Sequence, residues 1–176
     1  MTATAYVDES YRQPSPGSPG RFSVAAVIVD DHHAESTRDA LRALCRPQQR
    51  RLHWSKESHR SRLRLVEAID ALGHVAVVVT VHPVNPIEQL EARTLAMPRL
   101  LAELAPHIDA LVIERGDHHV EAIDNAAIAS LPGLQGRASH EGPLTEPLLW
   151  LPDIVVGAAT ARLPMTTPAL IEISFS

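Results

Sequence analysis

Apolar runs of strand length alternate with amphipathic stretches of helical period along most of the chain. Ala3 to Asp8 is short and β-prone, and the Pro/Gly/Ser-rich stretch Gln13 to Gly20 after it fits neither a helix nor a central strand. Arg21 to Val29 predicts a buried strand, so the first two strands should form an antiparallel pair joined by an exposed loop. Ala34 to Cys45 has helical spacing, with Leu41 and Leu44 on one side, Arg38, Arg42 and Arg46 on another, and Pro47 as its stop. Ser55 is the expected N-cap of a second amphipathic helix ending near Leu72. Leu63, Leu65, Val66, Ile69 and Leu72 would form its buried side, with Gly73 as the stop. His74 to His82 holds five valines and is apolar on both alternating sets, which places it inside the sheet.

The second half continues the alternation. Pro86 to Ala105 predicts a helix, Asp109 to Glu114 a short strand, and His119 to Ser130 another helix. A short strand is expected near Arg137 to Ser139, then a buried helix from Leu148 to Leu163 with Pro152 in its first turn. Pro164 ends that helix, and Ala169 to Phe175 predicts a last strand. Two strands followed by alternating helices and strands indicate one α/β domain over residues 1–176, layered around a mixed sheet. A sheet edge at the last strand leaves pairing with a second copy or another protein open.

Bulk composition narrows the classes. At 176 residues the chain can close a real core, and with aromatics at 3% that core must be Val, Ile, Leu and Ala. So few rings also weaken any base-stacking platform. No apolar run approaches the roughly 20 residues that span a bilayer. Met1 to Tyr6 lacks the basic and apolar regions of a secretory signal. Cys45, the lone cysteine, excludes an internal disulfide and a thiolate-rich zinc site, and its helical setting makes it a core residue. The expectation is a soluble, cytoplasmic protein with no membrane partner.

Charge adds a local feature. The net charge of −5 argues against a generic polyanion binder. Yet nine of the 16 basic residues lie between Arg38 and Arg64, opposed only by Asp39 and Glu57, a net +7 on an otherwise acidic body. Such a segment either steers a phosphate backbone, with Arg50, Arg51, Lys56 and Arg60 as contacts, or forms solvated helix faces. Lys56 is the sole lysine.

No zincin, phosphate-binding-loop, dinucleotide or nucleophile-elbow motif is present. What remains is carboxylates at the predicted strand ends: Asp8 and Glu9 after the first strand, and Glu114 closing a middle strand with Asp117 three residues on. Asp153 sits in the otherwise apolar run Leu148 to Ala158, where burying it is costly unless it is paired, hydrogen-bonded or metal-bound. If Asp8, Glu114 and Asp153 converge, they form an oxygen-rich pocket suited to Mg²⁺ or Mn²⁺. Taken singly, Asp8 reads as a turn cap, Glu114 as an exposed strand end and Asp153 as a helix cap. Of the ten histidines, His32, His33 and His140 read as exposed or capping residues. His118 or His119 could share a metal with Glu114 and Asp117, and His53 precedes a helix carrying Lys56 and Glu57.

The opening Tyr6-Val7-Asp8-Glu9-Ser10 and the late run from Leu148 to Ala158, with Asp153 before Ile154-Val155-Val156-Gly157-Ala158, resemble a bacterial family catalogued as domain of unknown function 3800. Its members look like ribonuclease H-like proteins. The family pattern is a Tyr-Ile-Asp-Glu-Ser-Gly opening, an acidic residue ending a middle strand, and a late Leu-Gln-x-Ala-Asp-x-Val-Ala-Gly helix. Matching places Asp8 and Asp153 on its two aspartates and Glu114 on its middle acidic position, where aspartate is more usual. Tyr11 stands where the pattern has glycine, and Trp150 to Pro152 where it has Gln-x-Ala. The resemblance implies a ribonuclease H-like three-layer fold and a metal-dependent nuclease. Asp8, Glu114 and Asp153 would hold the ions, Glu9 and Asp117 would assist as outer or alternative ligands, and His53 and Lys56, in a region where the family often has a histidine and a charged residue, would orient a phosphate or move a proton. The changed positions and acidic net charge favour a second reading, a non-catalytic domain of the same fold binding a protein or nucleic-acid partner. A third is an enzyme acting on a small phosphate-containing substrate.

Overall fold

In the computed structural model, which describes residues 2–166 and 168–174, six strands form one mixed sheet in the order β5-β4-β1-β2-β3-β6. β1 (Ala3–Arg12) and β2 (Arg21–Asp30) are antiparallel, and β2 continues antiparallel to β3 (Val75–His82). β4 (Ala110–Glu114) lies parallel to β1 on its other side, with β5 (Ala138–Glu141) parallel beyond it. β6 (Pro168–Ser174) joins β3 in parallel at the opposite edge, and Phe175 lies outside the described residues. Five helices complete the α/β layers: α1 (Ala34–Leu44), α2 (His59–Ala71), α3 (Gln89–Leu104), α4 (His118–Ala129) and α5 (Trp150–Thr160).

Strand alternation splits the core into two halves. Ala5 and Val7 of β1 and Leu111 and Ile113 of β4 point to one face, against Ala96, Met97 and Leu100 of α3 and Ala127 and Ile128 of α4. Tyr6 points the other way, with Leu41 of α1, Leu65 and Ile69 of α2, and Leu151, Ile154 and Val155 of α5. Val112 packs against that second half. Buried on both faces, β3 is the interior strand its valines predict: Val79 and Val81 serve the first half, Ala76 and Val78 the second. Among the described residues no helix is long and apolar enough to cross a membrane.

Several boundaries differ from the sequence expectation. β1 does not stop at Asp8. It runs on to Arg12 because β2 offers partners all the way, Asp8 opposite Ala25 and Arg12 opposite Arg21. Only the β1–β4 ladder stops early, at Val7 and Ile113. The second helix starts later than Ser55 predicts. Trp54–Lys56 makes a separate 3₁₀ turn, and the cap is Ser58, whose hydroxyl accepts from the Ser61 N–H at 3.2 Å. Leu44 and Leu63 face solvent, 37% and 45% exposed, so the buried sides of α1 and α2 are narrower than their leucines imply. Gly73, at φ +70°, terminates α2 as expected.

Candidate functional site

Asp8 and Glu114 meet where the parallel β1–β4 ladder ends. Each follows the last residue of its strand in that ladder, and each shares the face of Tyr6 and Val112, toward α5. The Asp8 side chain is buried, and its Oδ1 accepts the Glu9 N–H at 2.7 Å. Burial, reinforced by the charges of Glu114, Glu9 and Asp153, drives the Asp8 carboxyl well above its ordinary range. Burial also raises Glu114, against the pull of the Arg51 guanidinium, with the Asp8 carboxyl beside it. Two carboxylates held together away from water cannot both ionise cheaply, so the pair favours a shared proton.

Asp153 comes to the pair from the first turn of α5, close enough for its charge to raise both carboxyls. It is not a helix cap. Its Oδ2 accepts the Trp54 N–H at 2.8 Å and contacts His53 Nδ1 at 3.1 Å, tying the segment before α2 to the site. An ionised carboxylate only accepts, so Nδ1 carries the hydrogen of that contact. In the neutral ring Nε2 is then an acceptor, and the Ser55 hydroxyl stands 3.0 Å from it. Sequence reasoning placed Ser55 at a helix start and missed this role. The Asp153 link was invisible for another reason: the partners are a hundred residues apart.

Packing explains why this segment docks. Trp54 is buried against α5 at Gly157, where an added Cβ would stand 2.2 Å from the indole Cγ. Arg62 closes over the outer side, its guanidinium carbon 5.0 Å from the ring centroid and its Nε donating to the Trp54 carbonyl at 3.0 Å. The glycine of the late motif is therefore the floor under the tryptophan.

The remaining candidates lie elsewhere. Glu9 points to the opposite face of the sheet from Asp8, where its Oε2 is 2.9 Å from Arg93 Nη1 of α3. Arg93 is buried and grips Asp124 of α4 through Nε and Nη2 at 2.8 and 2.9 Å. His140 does not cap or face solvent but joins this network, Nε2 to Asp124 at 3.2 Å. Asp117 is the exposed N-cap of α4, accepting from His119 and Val120, bonds that hold its carboxyl below the usual range. The rings of His118 and His119 lie against each other, centroids 3.8 Å apart and tilted by 40°, exposed on that helix. Lys56, Arg50 and Arg60 are exposed and form no side-chain ion pair among the described residues, whereas Arg38, Arg42 and Arg46 pair with Glu146, Asp39 and Glu57. The basic segment is thus part structural and part open, and Arg51 sits at the carboxylates.

Among the described residues no three His, Cys, Asp or Glu side chains stand arranged to hold a metal ion. The donor set is nonetheless all oxygen, it carries more negative charge than its burial tolerates, and Asp153 Oδ1 has no hydrogen bond there. That chemistry suits a hard divalent cation. The chain matches no protein-family model, and no curated protein matches it.

Proposed function

We propose that the protein is a ribonuclease H-like, divalent-metal-dependent phosphodiesterase, nuclease-like in its action. The observation that carries this reading is the meeting of Asp8 and Glu114 at the end of the β1–β4 ladder with Asp153 of α5 beside them. The resemblance of the opening and late motifs to domain of unknown function 3800 points the same way, as does the mixed sheet with its antiparallel first pair. Asp8, Glu114 and Asp153 would hold Mg²⁺ or Mn²⁺, which supplies water activation and charge stabilisation at the leaving oxygen. The chain's own groups do the rest. Burial inclines the Asp8–Glu114 pair to hold a proton, which it would give up to bind such an ion. Asp153 fixes the His53 ring so that Nε2 is turned toward the Ser55 side, available to take a proton. Arg51 balances the carboxylates, while Arg50, Lys56 and Arg60 present unpaired cations from the segment that Asp153 anchors, a track for a phosphate backbone.

Calorimetric titration with Mn²⁺, run on the wild type and on an Asp8→Asn, Asp153→Asn double variant, tests the reading. Saturable binding that disappears in the variant is expected, together with metal-dependent cleavage of DNA or RNA. A folded wild type that takes up no Mn²⁺ would overturn it and leave the non-catalytic interaction domain, using the same basic track on a partner.

A further inference from the structure

Past the carboxylates, the cleft between β1 and α5 continues as a basic channel. Along β1 the residues after Asp8 on the α5 face are Ser10 and Arg12, and along α5 Gly157 and Thr160 follow Asp153 at helical spacing. Ser10, Arg12, Trp54, Gly157 and Thr160 bound a cavity of about 350 Å³. A second cavity, of about 500 Å³, lies on the other side of the last turn of α5, where Arg21 and Arg162 stand beside the apolar Leu163, Met165 and Leu170. Among the described residues no Asp or Glu lines either cavity, in a chain whose net charge is −5.

Arg12 and Arg21 are directly opposite across the β1–β2 pair and on one face of the sheet, a placing of like charges that costs stability. Arg12 is exposed, and its sole hydrogen bond among the described residues is a long one, Nη1 to the Thr160 carbonyl at 3.4 Å. The exposed Arg162 side chain and the half-buried Ser10 hydroxyl have no hydrogen bond or ion pair there. A ligand can therefore meet these groups without displacing a partner. An anion between the arginines would offset their repulsion, and phosphate fits the planar guanidinium fork. The Thr160 hydroxyl already donates to the Val156 carbonyl, and Gly157 and Ala161 carry no polar side chain, so the channel is built to hold a backbone rather than to read base edges.

We propose that this channel binds the flanking phosphates of a nucleic-acid strand whose scissile phosphodiester lies at Asp8, Glu114 and Asp153. The proposal rests on the nuclease reading for the placing of that strand. Arg12 stands four residues beyond Asp8 on β1, about 13 Å at roughly 3.3 Å per residue. That is too far to serve the scissile group, so Arg12 and then Arg162 meet phosphates further along the chain.

Fluorescence anisotropy with labelled single-stranded oligonucleotides in Ca²⁺, over a range of KCl concentrations, tests the channel. A calorimetric Mn²⁺ titration of the same proteins keeps the two readings apart. Each phosphate neutralised on a single strand contributes about 0.7 to the slope of log affinity against log salt, so an Arg12→Gln, Arg162→Gln double variant should lose about 1.4. The loss of affinity should be alike for all base compositions. Arg12→Lys with Arg162→Lys, which keeps both charges, should restore the slope, an outcome that a merely structural role would not give. UMP, too short to span from the carboxylates to Arg12, should bind wild type and the glutamine variant alike, and Mn²⁺ binding should persist in both. An unchanged slope in the glutamine variant, or no strand binding by folded wild type, would overturn the proposal. So would a loss of UMP as large as that of the oligonucleotide, the mark of a pocket for small free anions. The expected slope loss in a protein that takes up no Mn²⁺ would support the channel and sink the metal reading alone.

Discussion

Replacing Gly157 with Ala should disturb the site from beneath, through Trp54. The new methyl would stand 2.2 Å from Cγ and 2.4 and 2.5 Å from Cδ1 and Cδ2 of the indole. Carbon atoms rest at about 3.5–4.0 Å, so a whole ring edge is in overlap and no flexible tip can yield. The backbone of α5 is fixed by its own bonds and by a buried apolar surface, which leaves the tryptophan to move. Overpacking of this kind costs about 1–3 kcal/mol. Moving Trp54 also pulls its N–H from Asp153, now 2.8 Å away, and a hydrogen bond to a charged group contributes about 1.5–3 kcal/mol. The two losses share one displacement, so a total of about 2–4 kcal/mol is expected rather than their full sum. Urea denaturation followed by tryptophan emission reads both the stability and the exposure of the ring. A change below about 0.5 kcal/mol, the range of an ordinary surface substitution, with unaltered emission would refute the argument that Gly157 seats the loop.

Three further outcomes follow from the charges and caps. Because burial and then Glu114, Glu9 and Asp153 raise Asp8 in the folded protein, its contribution is fully present below the unfolded carboxyl value and is lost as pH rises through the folded one. Asp8→Asn should therefore gain on wild type as pH rises, by up to about 1.4 kcal/mol per pH unit in urea melts without metal; parallel profiles would contradict the buried pair. Asp124→Ala strands the buried Arg93 charge and should cost about 3–5 kcal/mol, with a loss under 1 kcal/mol showing that the network is not closed. Ser58→Ala should cost about 1 kcal/mol, and Ser55→Ala far less, in the same denaturation assay, since only Ser58 caps α2.

Periodicity made most of the elements legible, because Val75 to Val81 or Ala92 to Leu104 each declare a face through many residues at once. Single polar letters carried less. Ser55 and Ser58 are equally good caps on paper, and the choice was made by Trp54, whose burial commits the preceding turn to α5. The end of β1 was misplaced because Asp8 and Glu9 look like a strand terminus, whereas β2 supplies partners regardless of side-chain polarity. The three acids that their positions singled out are brought near one another by the fold. Their supports were not: His53 with Asp153 and Arg93 with Asp124 join residues far apart in the chain, and no local pattern encodes such pairs.

Adjacent carboxylates in a strand cannot serve one site, and β1 turns this constraint to use. The pleat sends Asp8 to the α5 face and Glu9 to the α3 face, so Asp-Glu reads as one acidic cluster in sequence and as two environments in space. On one side charge is crowded among carboxylates. On the other a buried arginine neutralises it. The two remain coupled, since Glu9 still raises Asp8 through the strand. Neutralising Glu9, as in Glu9→Gln, should therefore lower Asp8, and urea melts should show stability falling less with rising pH than in the wild type.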